Sequence, residues 1–76
     1  MDPHKLVKMA NDIADFFASE GEHDAIVDGV AGHLRRFWDP RMRRELVRFV
    51  DEGGAGCKDA VRDAVLQRRD TLVPPA

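Results

Sequence analysis

Three histidines, one cysteine, a run of glycines and a cluster of arginines are the residues with chemistry to offer in this chain. His4, His23 and His33 are widely separated. None is joined to an acid and a Ser or Cys in a pattern that would make a general base and nucleophile. A structural or catalytic metal needs several ligands at defined spacing, and one Cys with three scattered His supplies neither a CxxC nor an HExxH pattern. Cys57 reads as a small apolar filler at the start of a helix rather than an activated thiol. The run Gly53-Gly54-Ala55-Gly56 is preceded by no strand and followed by no Gly-Lys-Ser/Thr, so it is a turn and not a phosphate cradle. That leaves the arginines. Arg35, Arg36, Arg41, Arg43, Arg44 and Arg48 fall within residues 33–48, which hold no Lys and two acids. A guanidinium is a planar fork of donors for carboxylates, phosphates or backbone carbonyls. Phe37 and Trp38 stand inside the cluster, and Arg with Trp is the composition of protein-binding hot spots.

The elements that must position these groups are punctuated by Pro and Gly. Asp2-Pro3 and Asp39-Pro40 each read as an N-cap followed by Pro at the first helical position. The pattern predicts one helix from Pro3 to Ser19, ended by Gly21, and a second from His23 or Asp24 to Phe37. A third starts at Asp39-Pro40 and runs to about Asp51, and a flexible glycine turn leads to a fourth over Lys58–Arg69. Residues 71–76, Thr-Leu-Val-Pro-Pro-Ala, read as an extended tail because Pro cannot continue a helix. The expectation is an all-α bundle of three to four helices in a single domain over residues 1–70, with that Pro-containing tail behind it.

Placing residues at about 100° per position shows what each helix offers. In the first helix Leu6, Val7, Met9, Ala10, Ile13, Ala14, Phe16 and Phe17 span about half the circumference, wider than the usual apolar stripe. Two readings fit: a small bundle wraps this helix on two sides, or one side meets another chain. The second helix puts Ile26, Val27, Val30, Ala31, Leu34, Phe37 and Trp38 on one face and turns Ala25, Gly29, Gly32 and Arg36 the other way. Each internal glycine costs about 1 kcal/mol relative to Ala. Either they are tolerated surface residues or they admit close approach by a partner. The third helix faces Met42, Leu46, Phe49 and Val50 inward and Arg41, Arg44 and Arg48 outward, with Arg43 at the edge of the apolar stripe. The fourth, with Ala60, Val61, Ala64 and Val65, is expected to bury least.

Composition bounds the function. The chain has 76 residues, 43% of them hydrophobic. Cores of this size generally need a staple or a partner chain, and one Cys allows no internal disulfide. Net charge is −2, but it is segregated: residues 1–32 carry −5 and residues 33–48 carry +4. The helix, short turn and Arg-rich helix superficially resemble a helix-turn-helix. The third helix, however, has no Asn, Gln, Ser or Thr to read base edges, and the rest of the chain is acidic. The expectation is therefore no nucleic acid, no membrane and no catalytic, cofactor or metal site. No apolar run approaches the length of a membrane span, and the N-terminus lacks the n- and h-regions of a secretory signal, so the expected compartment is the cytoplasm.

Three blocks carry a resemblance. The first is Leu6-Val7-Lys8-Met9-Ala10-Asn11 with Ile13 and Phe16-Phe17. The second and most specific is His33-Leu34-Arg35-Arg36-Phe37-Trp38-Asp39-Pro40-Arg41-Met42-Arg43. The third is Gly53-Gly54-Ala55-Gly56 with the Val-rich helix after it. Together, over about Lys5 to Leu66, the chain resembles the delta subunit of cytoplasmic NAD-dependent formate dehydrogenase. The resemblance implies a small accessory subunit without a redox centre. Its holoenzyme oxidises formate to carbon dioxide and reduces NAD, using a molybdenum (or tungsten) bis-pterin guanine dinucleotide centre, iron–sulfur clusters and FMN. The partners implied are the large catalytic subunit and, through it, the flavin and iron–sulfur subunits. The chain departs from the family pattern at Cys57-Lys58-Asp59, where a larger aliphatic and often a Pro is expected. The departure bears on how the fourth helix starts and docks.

The expected partner-binding residues are Gly29, Gly32, Arg35, Arg36, Trp38, Arg41, Arg43, Arg44 and Arg48. An internal alternative stands beside this: Trp38 in the core, Asp39 only a cap, and Arg35 or Arg43 paired with Asp12 or Asp15. Two roles fit such a chain, a subunit that binds and stabilises the catalytic subunit, or an assembly chaperone that aids molybdenum cofactor insertion and then leaves.

Overall fold

Asp2 caps the first helix: its Oδ1 accepts from the backbone N–H of His4 at 2.9 Å, and Pro3 supplies a pre-set φ. In the computed structural model, which describes residues 2–74 apart from the Glu20 side chain, this opens α1, Pro3–Phe17. A 3₁₀ turn at Ala18–Glu20 and Gly21, at φ 122°, lead into α2, His23–Phe37. Asp39 repeats the cap, accepting from Met42 N–H at 2.9 Å, and opens α3, Pro40–Asp51. The helix α4 spans Asp59–Gln67, and a last turn, α5, spans Arg69–Leu72. Only helices and turns occur among the described residues, as the helical periodicity predicts.

The core is shared by all five helices. Leu6 of α1, Leu34 of α2, Leu46 of α3, Val61 and Val65 of α4 and Leu72 of α5 are each at most 1% exposed. Each such side chain contributes about 1.5–3 kcal/mol by leaving water. The Cα radius of gyration, 11.0 Å, is what a globule of this length should have, about 11 Å. α2 is the central element and packs most extensively on α4 and α1.

Two expectations are corrected here. The fourth helix is not the poorly buried one, since Val61, Ala64 and Val65 are wholly enclosed against α2. Its small residues permit close approach, so a short helix buries a complete face. The extended tail does not begin at Thr71. Thr71 and Leu72 belong to α5, and Leu72 is buried. Pro74 constrains the residue before it and lies beyond the steric reach of Leu72, whose burial recruits the turn. Pro75 and Ala76, the rest of that expected tail, lie outside the described residues.

The glycine run is also more than a flexible link. Gly53 N–H donates to Val50 O and Gly54 N–H to Phe49 O, both at 3.0 Å, the paired bonds of a Schellman end to α3. Gly54 is buried with φ 63°, in the left-handed region that glycine occupies without strain. Asn11 of α1 then clamps the loop from below. Its Nδ2 donates to Gly56 O and its Oδ1 accepts from Lys58 N–H, each at 2.9 Å. Arg62 of α4 closes it from above, donating to Gly54 O at 3.2 Å and Cys57 O at 3.3 Å. The start of α4, where the chain departs from its family pattern, is therefore held by side chains of α1 and α4.

Candidate partner-binding surface

The Arg-rich segment is built on a rigid corner. Trp38 N–H donates to Leu34 O at 3.0 Å and closes α2, and the Asp39 cap starts α3 one residue later. The Trp38 side chain fills the inside of the corner and is 6% exposed. Of the two readings open for it, core describes its place, and its ring presents almost no surface to a partner.

The arginines divide by what surrounds them. Elsewhere, among the described residues, the chain pairs five of its six other bases internally, all but Lys5: Lys8 with Asp12, Lys58 with Asp15, Arg62 with Asp59, Arg68 with Asp28, and Arg69 with Asp51. Asp12 and Asp15 are thereby occupied, so neither is the partner of Arg35 or Arg43. Arg43 instead reaches back to Arg35 O at 3.5 Å, where it helps satisfy the carbonyl end of α2, and its Nε is buried without a hydrogen-bond partner. Among the described residues Arg35, Arg36, Arg41, Arg44 and Arg48 are exposed and make no ion pair. Three of these have a local reason for their positions. Arg35 and Arg36 stand in the last turn of α2 and Arg48 in the last turn of α3, where a cation meets the negative end of the helix dipole. Arg41 and Arg44 have none. Arg41 stands in the first turn of α3, at the positive end of its dipole and two residues past the Asp39 cap, and Arg44 follows on the next turn.

The two glycines of α2 also part company. A Cβ on Gly29 would sit 2.6 Å from the Phe17 ring, so Gly29 makes room for a side chain of its own chain. Gly32 has nothing within 4 Å of that position and is exposed. The residues Phe17, Gly29, Gly32, His33, Arg36 and Phe37 line an open groove of about 330 Å³. The wide apolar arc of α1 is split accordingly. Leu6, Val7, Ala10 and Ala14 enter the core, while Phe16 remains 72% exposed.

The histidines take structural positions. His4 meets the Phe49 ring edge-on, and His23 Nε2 lies 2.6 Å from Asp63 Oδ2, tying the start of α2 to α4. His33 lies between Phe17 and Phe37. Burial pushes the Cys57 thiol above its ordinary pKa, an effect Arg62 offsets in part, so the sulfur is not held as a thiolate. Among the described residues no three His, Cys, Asp or Glu side chains converge as metal ligands. No helix among them is long and apolar enough to cross a membrane.

Asn11 is the residue that sequence reasoning passed over. It sits on the polar half of α1, and nothing local marks it, because both its partners lie more than 40 residues ahead.

No curated protein and no solved structure matches the chain. The family model described as NADH-dependent formate dehydrogenase delta subunit FdsD matches residues 5–65, which takes in α1 from its third residue on, the α2–α3 corner and the glycine loop. The chain therefore belongs to the delta-subunit family of NADH-dependent formate dehydrogenase, and its partners are those of the formate dehydrogenase complex.

Proposed function

We propose that this delta subunit binds and stabilises the large catalytic subunit of the complex, offers no redox centre of its own, and docks through the arginines of the α2–α3 corner. The observation that carries the reading is the contrast in pairing. Among the described residues, five of the six bases outside the corner (all but Lys5) meet the chain's own carboxylates, whereas Arg41 and Arg44 are exposed and make no ion pair, Arg41 in the first turn of α3 where the helix dipole opposes it. Such a site gains from a carboxylate supplied by another chain. Arg35, Arg36 and Arg48 extend the same positive field, Arg43 braces the corner, and Trp38 supports it from inside. The molybdenum (or tungsten) centre, iron–sulfur clusters, FMN and NAD belong to the other subunits in this reading.

The test is co-purification. Replacing Arg41 and Arg44 together by Glu should strip the chain from the catalytic subunit at moderate salt while the helical circular dichroism stays unchanged. Retention of the double variant at wild-type level would reject the role of this corner. A chain present one-to-one in active enzyme supports a resident subunit. A chain absent from it, with cofactor-poor enzyme in the deletion strain, replaces that role with one in assembly.

A further inference from the structure

The groove beside the corner is a second contact, and its chemistry differs from that of α3. The rings of Phe16, Phe17, His33 and Phe37 follow one another across α1 and α2. Phe16 meets Phe17 edge-on at 5.2 Å between centroids, Phe17 lies 6.5 Å from His33, and His33 lies 4.7 Å from Phe37. Phe16 and Phe37, at the two ends, are 72% and 71% exposed. A lone exposed Phe needs no explanation, but a line of rings bordering a hollow does. The hollow exists because Gly32 has no side chain and nothing else fills its place.

Charge at the rim indicates what enters. Arg36 lines the groove without an ion pair among the described residues. The acid on the rim, Asp28, already accepts from Arg68 of its own chain. A second copy meeting this groove with its own would bring another engaged Asp28 and another unpaired Arg36, and so would leave the charge unmatched. We infer that the groove receives a segment of another chain of the formate dehydrogenase complex, one that places a large apolar side chain over Gly32 and a carboxylate on Arg36. Peptide segments recognised in this way supply apolar anchors for affinity and a rim charge for register. The inference rests on the reading of the chain as a bound subunit, and it assigns a site independent of Arg41 and Arg44.

The test uses the assembled complex. Phe37 is replaced by p-benzoylphenylalanine, the purified complex is irradiated, and the crosslinked peptides are read by mass spectrometry. The expected product joins Phe37 to a peptide of another subunit that carries a large apolar residue within four positions of an Asp or Glu. In parallel, a Gly32→Leu chain, which fills the hollow without touching the core, should bind delta-free complex at least tenfold more weakly. Arg36→Glu should weaken binding about fivefold or more, with recovery when the crosslinked acid is changed to Lys. A crosslink only to a second copy of this chain, no crosslink in a complex that retains the chain, or unchanged binding by Gly32→Leu would each overturn the groove assignment while leaving the subunit reading intact. Absence of the chain from the complex would overturn both.

Discussion

Changing Gly29 and Gly32 to Ala in turn should move stability in opposite directions, although both lie in the same helix three residues apart. Both substitutions remove backbone freedom from the unfolded chain and gain helix propensity, about 0.8–1 kcal/mol each. At Gly32 that is the whole effect, because a Cβ there has nothing within 4 Å. At Gly29 the new methyl lies 2.6 Å from Cδ1 and 2.8 Å from Cγ of Phe17. The near-backbone part of the ring is struck, so a rotamer change at the ring's far end gives no relief. Phe17 must withdraw from the groove or α1 must shift on α2. Overpacking of this kind costs about 1–3 kcal/mol and exceeds the propensity gain over most of that range. Gly32→Ala should therefore raise the melting temperature by about 4–8 °C, and Gly29→Ala should lower it by up to about twice that. Thermal unfolding of the isolated chain followed at 222 nm reads both. The double variant Phe17→Ala/Gly29→Ala closes a cycle: without the ring, Gly29→Ala should become stabilising. Equal shifts for the two glycines, or a Gly29→Ala penalty that survives removal of Phe17, would refute the account.

Three further outcomes are expected. Asn11→Ala should destabilise by about 0.5–1.5 kcal/mol, because it removes the bonds to Gly56 O and Lys58 N–H together at an exposed site where water replaces them in part, and hydrogen exchange should quicken first in the 54–58 loop and the first turn of α4. The Asp51 carboxylate is held below its ordinary pKa by the hydrogen bonds from Arg69, so its link from α3 to α5 is present above pH ~4 and is lost as pH falls through the lowered pKa. Asp51→Asn should flatten the acid limb of the stability profile, and an acid limb identical to wild type would exclude the link. Trp38→Ala should cost about 3–5 kcal/mol and broaden the unfolding transition, as truncation of a buried corner residue does, whereas a mild effect would place the ring outside the core.

Much of this architecture was legible because its signals are local. Asp2-Pro3 and Asp39-Pro40 mark helix starts through contacts within three residues, and both caps form. Gly53-Gly54 marks a helix end through bonds to the preceding turn. The misses share the opposite property. Leu72 folds back because a core assembled from α2 and α3 receives it, and a reading confined to its neighbours sees only the prolines. Gly29 looked like a residue kept small for a partner and is kept small for Phe17, a residue of another helix. Val47, absent from the expected inward face of α3, is 7% exposed, one position beyond the Leu46 of that face. Of the expected surface residues, the arginines were legible as a cluster, but which of them are unpaired depended on where Asp12, Asp15, Asp28 and Asp51 found their own partners.

The arrangement of α3 sets folding and binding against each other, and one substitution can separate them. Arg41 is the second residue of the helix, beside backbone N–H groups of which the Asp39 cap satisfies Met42's, and within a turn of Arg44, which in turn stands four residues before Arg48. Like charges at helical spacing cost about 0.2–0.5 kcal/mol per pair, and a cation at the positive end of the dipole costs about 0.3–1 kcal/mol. Arg41→Glu reverses both effects, since an acid at that position favours the dipole and attracts Arg44, but it also faces Glu45 four residues on, which takes back part of the gain. The isolated chain should therefore become more stable by about 0.3–1 kcal/mol. The same change removes a fork meant for a carboxylate and places a negative charge where a negative surface is expected, so capture by the complex should weaken. A residue present only to solubilise the helix would show no such opposition. Arg41→Gln, which removes charge without reversing it, should fall between wild type and Arg41→Glu on both scales. If Arg41→Glu lowered stability, the dipole argument would fail. If it raised stability and left association untouched, the arginine would have no partner, and the corner would be a solvated face.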